Sequence, residues 1–130
     1  MLIDEKLLDS VTAKAKESDR LRMNFNFHES LDAKAQRLLN ALEPGTLLPI
    51  HRHRHTAETY IVLRGAIKVL FYNDDRVLTD EFMVNPLEGV YGVHIPKGQW
   101  HTLEVLECST MIFEVKDGPY TPLGEEDMMI

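Results

Sequence analysis

The chain has 130 residues, with 14 Lys and Arg against 21 Asp and Glu and a formal charge of -7. That is the length of one domain and the wrong sign for non-specific binding to nucleic acid or an anionic membrane. Its single cysteine, Cys108, rules out an intrachain disulfide and fits a reducing cytoplasm, and Asp4, Glu5, Lys6 and Asp9 interrupt the apolar N-terminus, so neither a secretory signal nor a membrane span is expected.

Taken in chain order, Asp4 caps a predicted helix over residues 4–18 whose apolar face is Leu7, Leu8, Val11 and Ala15. From Leu21 the period changes to two. Leu21, Met23, Phe25 and Phe27 share one strand face, and Arg22, Asn24, Asn26 and His28 share the other. The polar set either forms a solvated outer surface or faces a binding site, where its donors and acceptors suit a carboxylate, phosphate or sugar hydroxyls. Residues 33–42 satisfy both periods, because Ala35, Leu38, Leu39 and Leu42 fall at helical spacing while Gln36, Leu38, Asn40 and Leu42 alternate.

Further strands are expected over 59–63 and 66–72 about a turn at Gly65, then over 76–84, 91–95, 101–106 and 109–116, with Asn, Asp, Pro and Gly punctuating them. Many short strands predict a mainly β sandwich or barrel. The tail from Thr121, with its Glu125-Glu126-Asp127 run, is expected to be loose or to pack on a partner subunit.

Between Gly45 and Gly65 the sequence reads G-x5-H-x-H-x4-E-x6-G, with His51, His53 and Glu58 at the marked positions, and His101 follows inside Pro96-x-Gly98-x-x-His101. Side chains two apart on a strand share a face, so His51 and His53 can reach one ion. Three imidazoles and a carboxylate suit divalent Zn, Fe, Mn, Ni or Co. His55 continues the alternation and either lines the same pocket or belongs to a loop. Tyr60, two after Glu58, either orients a ligand or packs in the barrel. Arg52 and Arg54 alternate with the histidines and are expected on an outer, ion-paired surface, with Trp100 supporting a turn and His94 outside the metal set.

These two motifs resemble those of the cupin superfamily. The first matches at every fixed position; the second has six residues instead of five between Gly89 and Pro96, and Val105 where the pattern ends in Asn. A broader likeness, through the segments Arg22–His28, Gln36–Leu42 and Pro49–His55, is to the WbuC-type cupin-fold metalloproteins. The resemblance implies a single-domain cupin, a jelly-roll β-barrel with a short N-terminal α-helix, divided as a helical extension (1–20), barrel (21–118) and tail (119–130). It also implies a strand in the ambiguous segment before the first motif, one divalent metal on His51, His53, Glu58 and His101, and a homodimer. The family is associated with lipopolysaccharide O-antigen and surface polysaccharide gene clusters.

A metal that keeps exchangeable positions would bind a substrate with adjacent oxygens, such as a sugar or hydroxy acid, and would support isomerase, epimerase or lyase chemistry. Within that expectation His28 is the candidate proton shuttle, and Arg22, Asn24, Asn26, Tyr60 and His55 are the candidate substrate contacts. An Fe(II)-dependent dioxygenase and a non-catalytic saccharide-binding or sensing module are the alternatives.

Overall fold

A computed structural model describes residues 1–129. Helix α1 (Glu5–Glu17) begins where the Asp4 carboxylate accepts the Leu7 amide at 3.0 Å, satisfying one of the free donors of the first turn. The strands then follow as β1 (Arg22–Asn26), β2 (Ala35–Leu42), β3 (Ile50–His51), β4 (Glu58–Arg64), β5 (Ile67–Tyr72), β6 (Leu78–Val84), β7 (Gly92–Ile95), β8 (Trp100–Val105), β9 (Thr110–Asp117) and β10 (Met128–Met129). They form two antiparallel sheets, ordered β1-β2-β9-β4-β7 and β10-β3-β8-β5-β6.

The core between the sheets contains Leu42, Val62, Ile67, Val69, Ile95 and Ile112, all at most 4% exposed. A second apolar cluster lies under the helix, where Leu8, Val11 and Ala15 meet Leu39, Ala41 and Met111, with Met23, Phe25 and Phe27 against it. This explains the double periodicity of β2. The strand buries Leu39 and Ala41 beneath the helix and Leu38 and Leu42 on the opposite face, so its apolar positions are nearly continuous. The ambiguous segment is a strand, as the family likeness implied.

The turns fix the strand register. At Gly65 the backbone has φ +77°, and a Cβ there would lie 2.2 Å from Thr110 Oγ1, so glycine is required both by conformation and by the close approach of β9. Leu21 has φ 58°, so β1 begins one residue later than the periodicity predicted, and Arg76 at φ 65° extends the Asn73 turn so that β6 starts at Leu78. The tail departs from its expectation. Its backbone returns to the chain's own barrel, where Met128 and Met129 pair with His51 and Ile50, because β3 would otherwise be a sheet edge with free donors and acceptors.

Candidate metal centre

His51 leaves β3 on the same sheet as His101 of β8, and the two residues are direct cross-strand partners. Their rings stand 4.3 Å apart between centroids. His53 follows two residues after His51, and Glu58 opens β4 on the facing sheet, so a loop of a few residues carries the chain from one wall of the barrel to the other. One ligand atom from each of His51, His53, Glu58 and His101 lies within 4.8 Å of all the others.

Backbone carbonyls set the histidine orientations. His51 Nδ1 is 2.9 Å from Pro49 O and His101 Nδ1 is 2.8 Å from Gln99 O. Each Nδ1 must donate in such a contact, which leaves the Nε2 lone pairs directed into the cluster; this outer hydrogen bond is the usual companion of a metal-bound imidazole. His101 Nε2 is buried and has no hydrogen-bond partner, yet it lies 2.8 Å from Glu58 Oε1. At this distance the two atoms need a positive centre between them, either a proton on Nε2 or a bound cation. The donor set therefore fits a divalent transition metal.

Electrostatics point the same way. Burial, reinforced by the neighbouring His101, pushes the His51 imidazole down to about 4, and burial also lowers His53. Burial opposes ionisation of Glu58, but hydrogen bonding and charge from His101, then His53 and the Tyr60 hydroxyl, outweigh it and hold the carboxyl down at about 2. Neutral imidazoles at His51 and His53 and an ionised Glu58 carboxylate are the states in which these residues ligate.

Tyr60 is buried, and its hydroxyl donates to Glu58 Oε1 at 2.9 Å, so it orients a member of the cluster. Burial, then the negative charges of Glu58 and Glu114, raise its own ionisation far above the ordinary tyrosine value. The cluster opens into a cavity of about 450 Å³ whose wall includes Tyr60, His55, Arg52 and Arg54. His55 is exposed at the rim. The two arginines both bond Asp127 Oδ1, at 3.0 and 2.7 Å, and Arg52 also stacks 4.5 Å above the Trp100 ring. Trp100 in turn donates to Asp74 at 2.9 Å, and His94 lies exposed beside Thr59, away from the cluster.

The polar face of β1 takes the solvated one of the two positions left open for it. Asn24 and Asn26 pair with Asn40 and Leu38, so they share the sheet face opposite the helix, but β1 is the outer strand and both are exposed. Arg22 donates to Leu47 O at 3.0 Å. His28 Nδ1 accepts from the Arg37 amide at 3.2 Å, closing the β1–β2 end. None of Arg22, Asn24, Asn26 or His28 is among the residues lining the cavity. The candidate shuttle and three of the candidate substrate contacts therefore stand apart from the cluster, because β2 and β9 come between β1 and β4.

In their place the cavity is lined by Gln36 and Asn40 of β2, Glu114 and Lys116 of β9, and the segment from Pro119 to Leu123. The signal for Glu114 was available. Ile112 and Glu114 alternate inward along β9, so a carboxylate follows a core isoleucine on the same face. The tail carries no such pattern.

Among solved structures, the capsular polysaccharide assembling protein CapF from Staphylococcus aureus is 22% identical with a TM-score of 0.68 over 81% of this chain. This chain spans only 28% of that protein. The Cnp3 cupin domain of Schizosaccharomyces pombe is 10% identical with a TM-score of 0.59, over 74% of this chain and 64% of the other. Oxalate decarboxylase OxdC of Bacillus subtilis, in a mutant form, is 16% identical with a TM-score of 0.59, over 84% of this chain and 28% of the other. These likenesses establish the cupin fold, and a comparison with curated proteins finds no match. Residues 3–84, which hold His51, His53 and Glu58 and end before His101, match the family described as a domain of unknown function, DUF6016, and the chain belongs to that family.

Proposed function

We propose that this chain is a metal-binding cupin that acts on a small sugar-related or hydroxy-acid substrate, by isomerase, epimerase or lyase chemistry, in the assembly of a bacterial surface polysaccharide of the O-antigen kind. The observation that carries the proposal is the convergence of His51, His53, Glu58 and the buried His101 within 4.8 Å of one another, with the first three lining an open cavity. A divalent cation held by these residues supplies Lewis acidity towards oxygens that develop negative charge. The chain's own residues do the rest. Tyr60 fixes the Glu58 carboxylate, the Pro49 and Gln99 carbonyls fix two imidazoles, and Lys116 brings a positive charge to the cavity wall for an anionic substrate. The polysaccharide connection draws on the WbuC-type likeness and on CapF, whose described role is capsular polysaccharide assembly.

In this reading the protein works in the cytoplasm, consistent with one exposed and unpaired cysteine, Cys108. Dimerisation would use the exposed apolar residues of the edge strand β6, Leu78, Phe82 and Met83. Elemental analysis of the protein as isolated tests the central claim, with about one equivalent of Zn, Fe, Mn, Ni or Co per chain expected. A protein that stays metal-free after incubation with each of these ions would remove its basis. Turnover of sugar acids or nucleotide sugars under anaerobic conditions is the expected activity, and a strict requirement for oxygen would contradict it.

A further inference from the structure

Beside the cluster, β9 and β2 carry a second polar pair into the cavity. Glu114 lies opposite Tyr60 on one side and Leu38 on the other, in the middle of the sheet, and is only 7% exposed. Asn40, two residues after Leu38 and on the same face, donates its Nδ2 to Glu114 Oε1 at 3.0 Å. Its Oδ1 is buried and unpartnered. Both residues line the cavity onto which His51, His53 and Glu58 open, and Lys116 follows on the same face of β9.

A carboxyl group in the centre of a sheet, flanked by Tyr60 and Leu38, is expensive to bury, and an apolar residue of equal size would stabilise the fold better. The interior environment, with the Glu58 carboxylate nearby, pushes the Glu114 carboxyl up to about 7. Neither the cluster nor the core needs it. A carboxyl and an amide side by side do, however, present acceptors and donors at hydrogen-bonding separation, the arrangement that matches hydroxyl groups on adjacent carbons. A buried polar pair discriminates strongly, because an analogue without the hydroxyl leaves it unpaired.

We propose that Glu114 and Asn40 form a hydroxyl-binding subsite, which selects a polyhydroxy acid over a simple 2-hydroxy acid when the carboxylate and 2-hydroxyl of either lie at the His51, His53, Glu58 and His101 cluster. The subsite rests on the metal reading above and names the substrate class for it. Glu114 and Asn40 act there as specificity residues.

Isothermal titration of the zinc-loaded protein with lactate and with gluconate separates the two ideas, since both acids offer a carboxylate and a 2-hydroxyl and only gluconate carries further hydroxyls. Gluconate is expected to bind at least about tenfold more tightly, the equivalent of one well-made buried hydrogen bond. Glu114→Met, which keeps the length and removes the polar atoms, should bring the two affinities to within about twofold while zinc content and lactate affinity hold. Glu114→Gln, which can still donate and accept, should retain the preference. Equal affinities in the unmutated protein, or a preference that survives Glu114→Met, overturn the subsite and leave the metal reading standing. Failure to hold zinc, or failure of zinc-loaded protein to bind either acid, overturns both.

Discussion

Glu114 gives the fold a pH dependence whose sign and size follow from its surroundings. In the unfolded chain its carboxyl has the ordinary value of 4.5, and in the folded chain burial and then the charge of Glu58 raise it to about 7. Between those two values the folded state binds the proton more tightly, so the contribution is fully present below 4.5 and is lost as pH rises through 7. The difference corresponds to about 3 kcal/mol, a large share of a small domain's stability. His51 runs the other way, since its value falls from 6.5 to about 4 and the folded state therefore loses stability as pH drops across that window. Comparing the parent with Glu114→Gln at each pH cancels the His51 contribution. Urea unfolding of the metal-free proteins should show the variant gaining about 2.5 kcal/mol on the parent between pH 5 and pH 8. A difference that stays flat within about 0.5 kcal/mol over that range would show that Glu114 is as well solvated folded as unfolded.

Five other substitutions probe the site and its frame. Tyr60→Phe removes the hydroxyl that holds Glu58 and should weaken metal affinity by roughly 10- to 100-fold with the cluster otherwise intact, as read by chelator competition. His101→Ala should cost more than that, whereas His55→Ala, at the exposed rim, should leave metal content unchanged in elemental analysis. Leu8→Ala opens a cavity beneath the helix and should destabilise the fold by about 2–4 kcal/mol in urea unfolding without altering metal affinity, since Leu8 belongs to the outer cluster and not to the space between the sheets. Asp127→Ala removes the carboxylate shared by Arg52 and Arg54. Hydrogen exchange at the Arg52 amide, which bonds the Asp127 carbonyl, should accelerate, because the tail loses the two ion pairs that hold it there.

The spacing of His51, His53, Glu58 and His101 carried the cluster because ligand geometry and strand periodicity impose the same register, and two motifs far apart in sequence had to satisfy both. β1 shows the limit of that logic. Its alternation correctly separated Met23, Phe25 and Phe27, which lie against the helix, from Asn24 and Asn26, but sheet order cannot be read from a period of two. That order puts two strands between β1 and β4 and removes the polar face of β1 from the cavity wall. Glu114 escaped for the opposite reason. It sits where the pattern expects a core residue, and a lone carboxylate in a strand draws no attention until its cross-strand neighbours, Tyr60 and Leu38, are known. The tail was illegible because Pro119 to Asp127 follows no period at all. Its position is dictated by β3, a strand of two residues that takes β8 on one side and β10 on the other.

That brief strand ties one member of the cluster to the far end of the described chain. Ile50 and His51 have no lengthy ladder of their own, and His51 is held between His101 of β8 and Met128 of β10. The rest of the same sheet, β8, β5 and β6, pairs over longer ladders that do not involve the tail. Trimming the last residues should therefore loosen His51 while leaving His53, Glu58 and His101 on their own elements, so a fusion placed there would act as a lever on one ligand of the four.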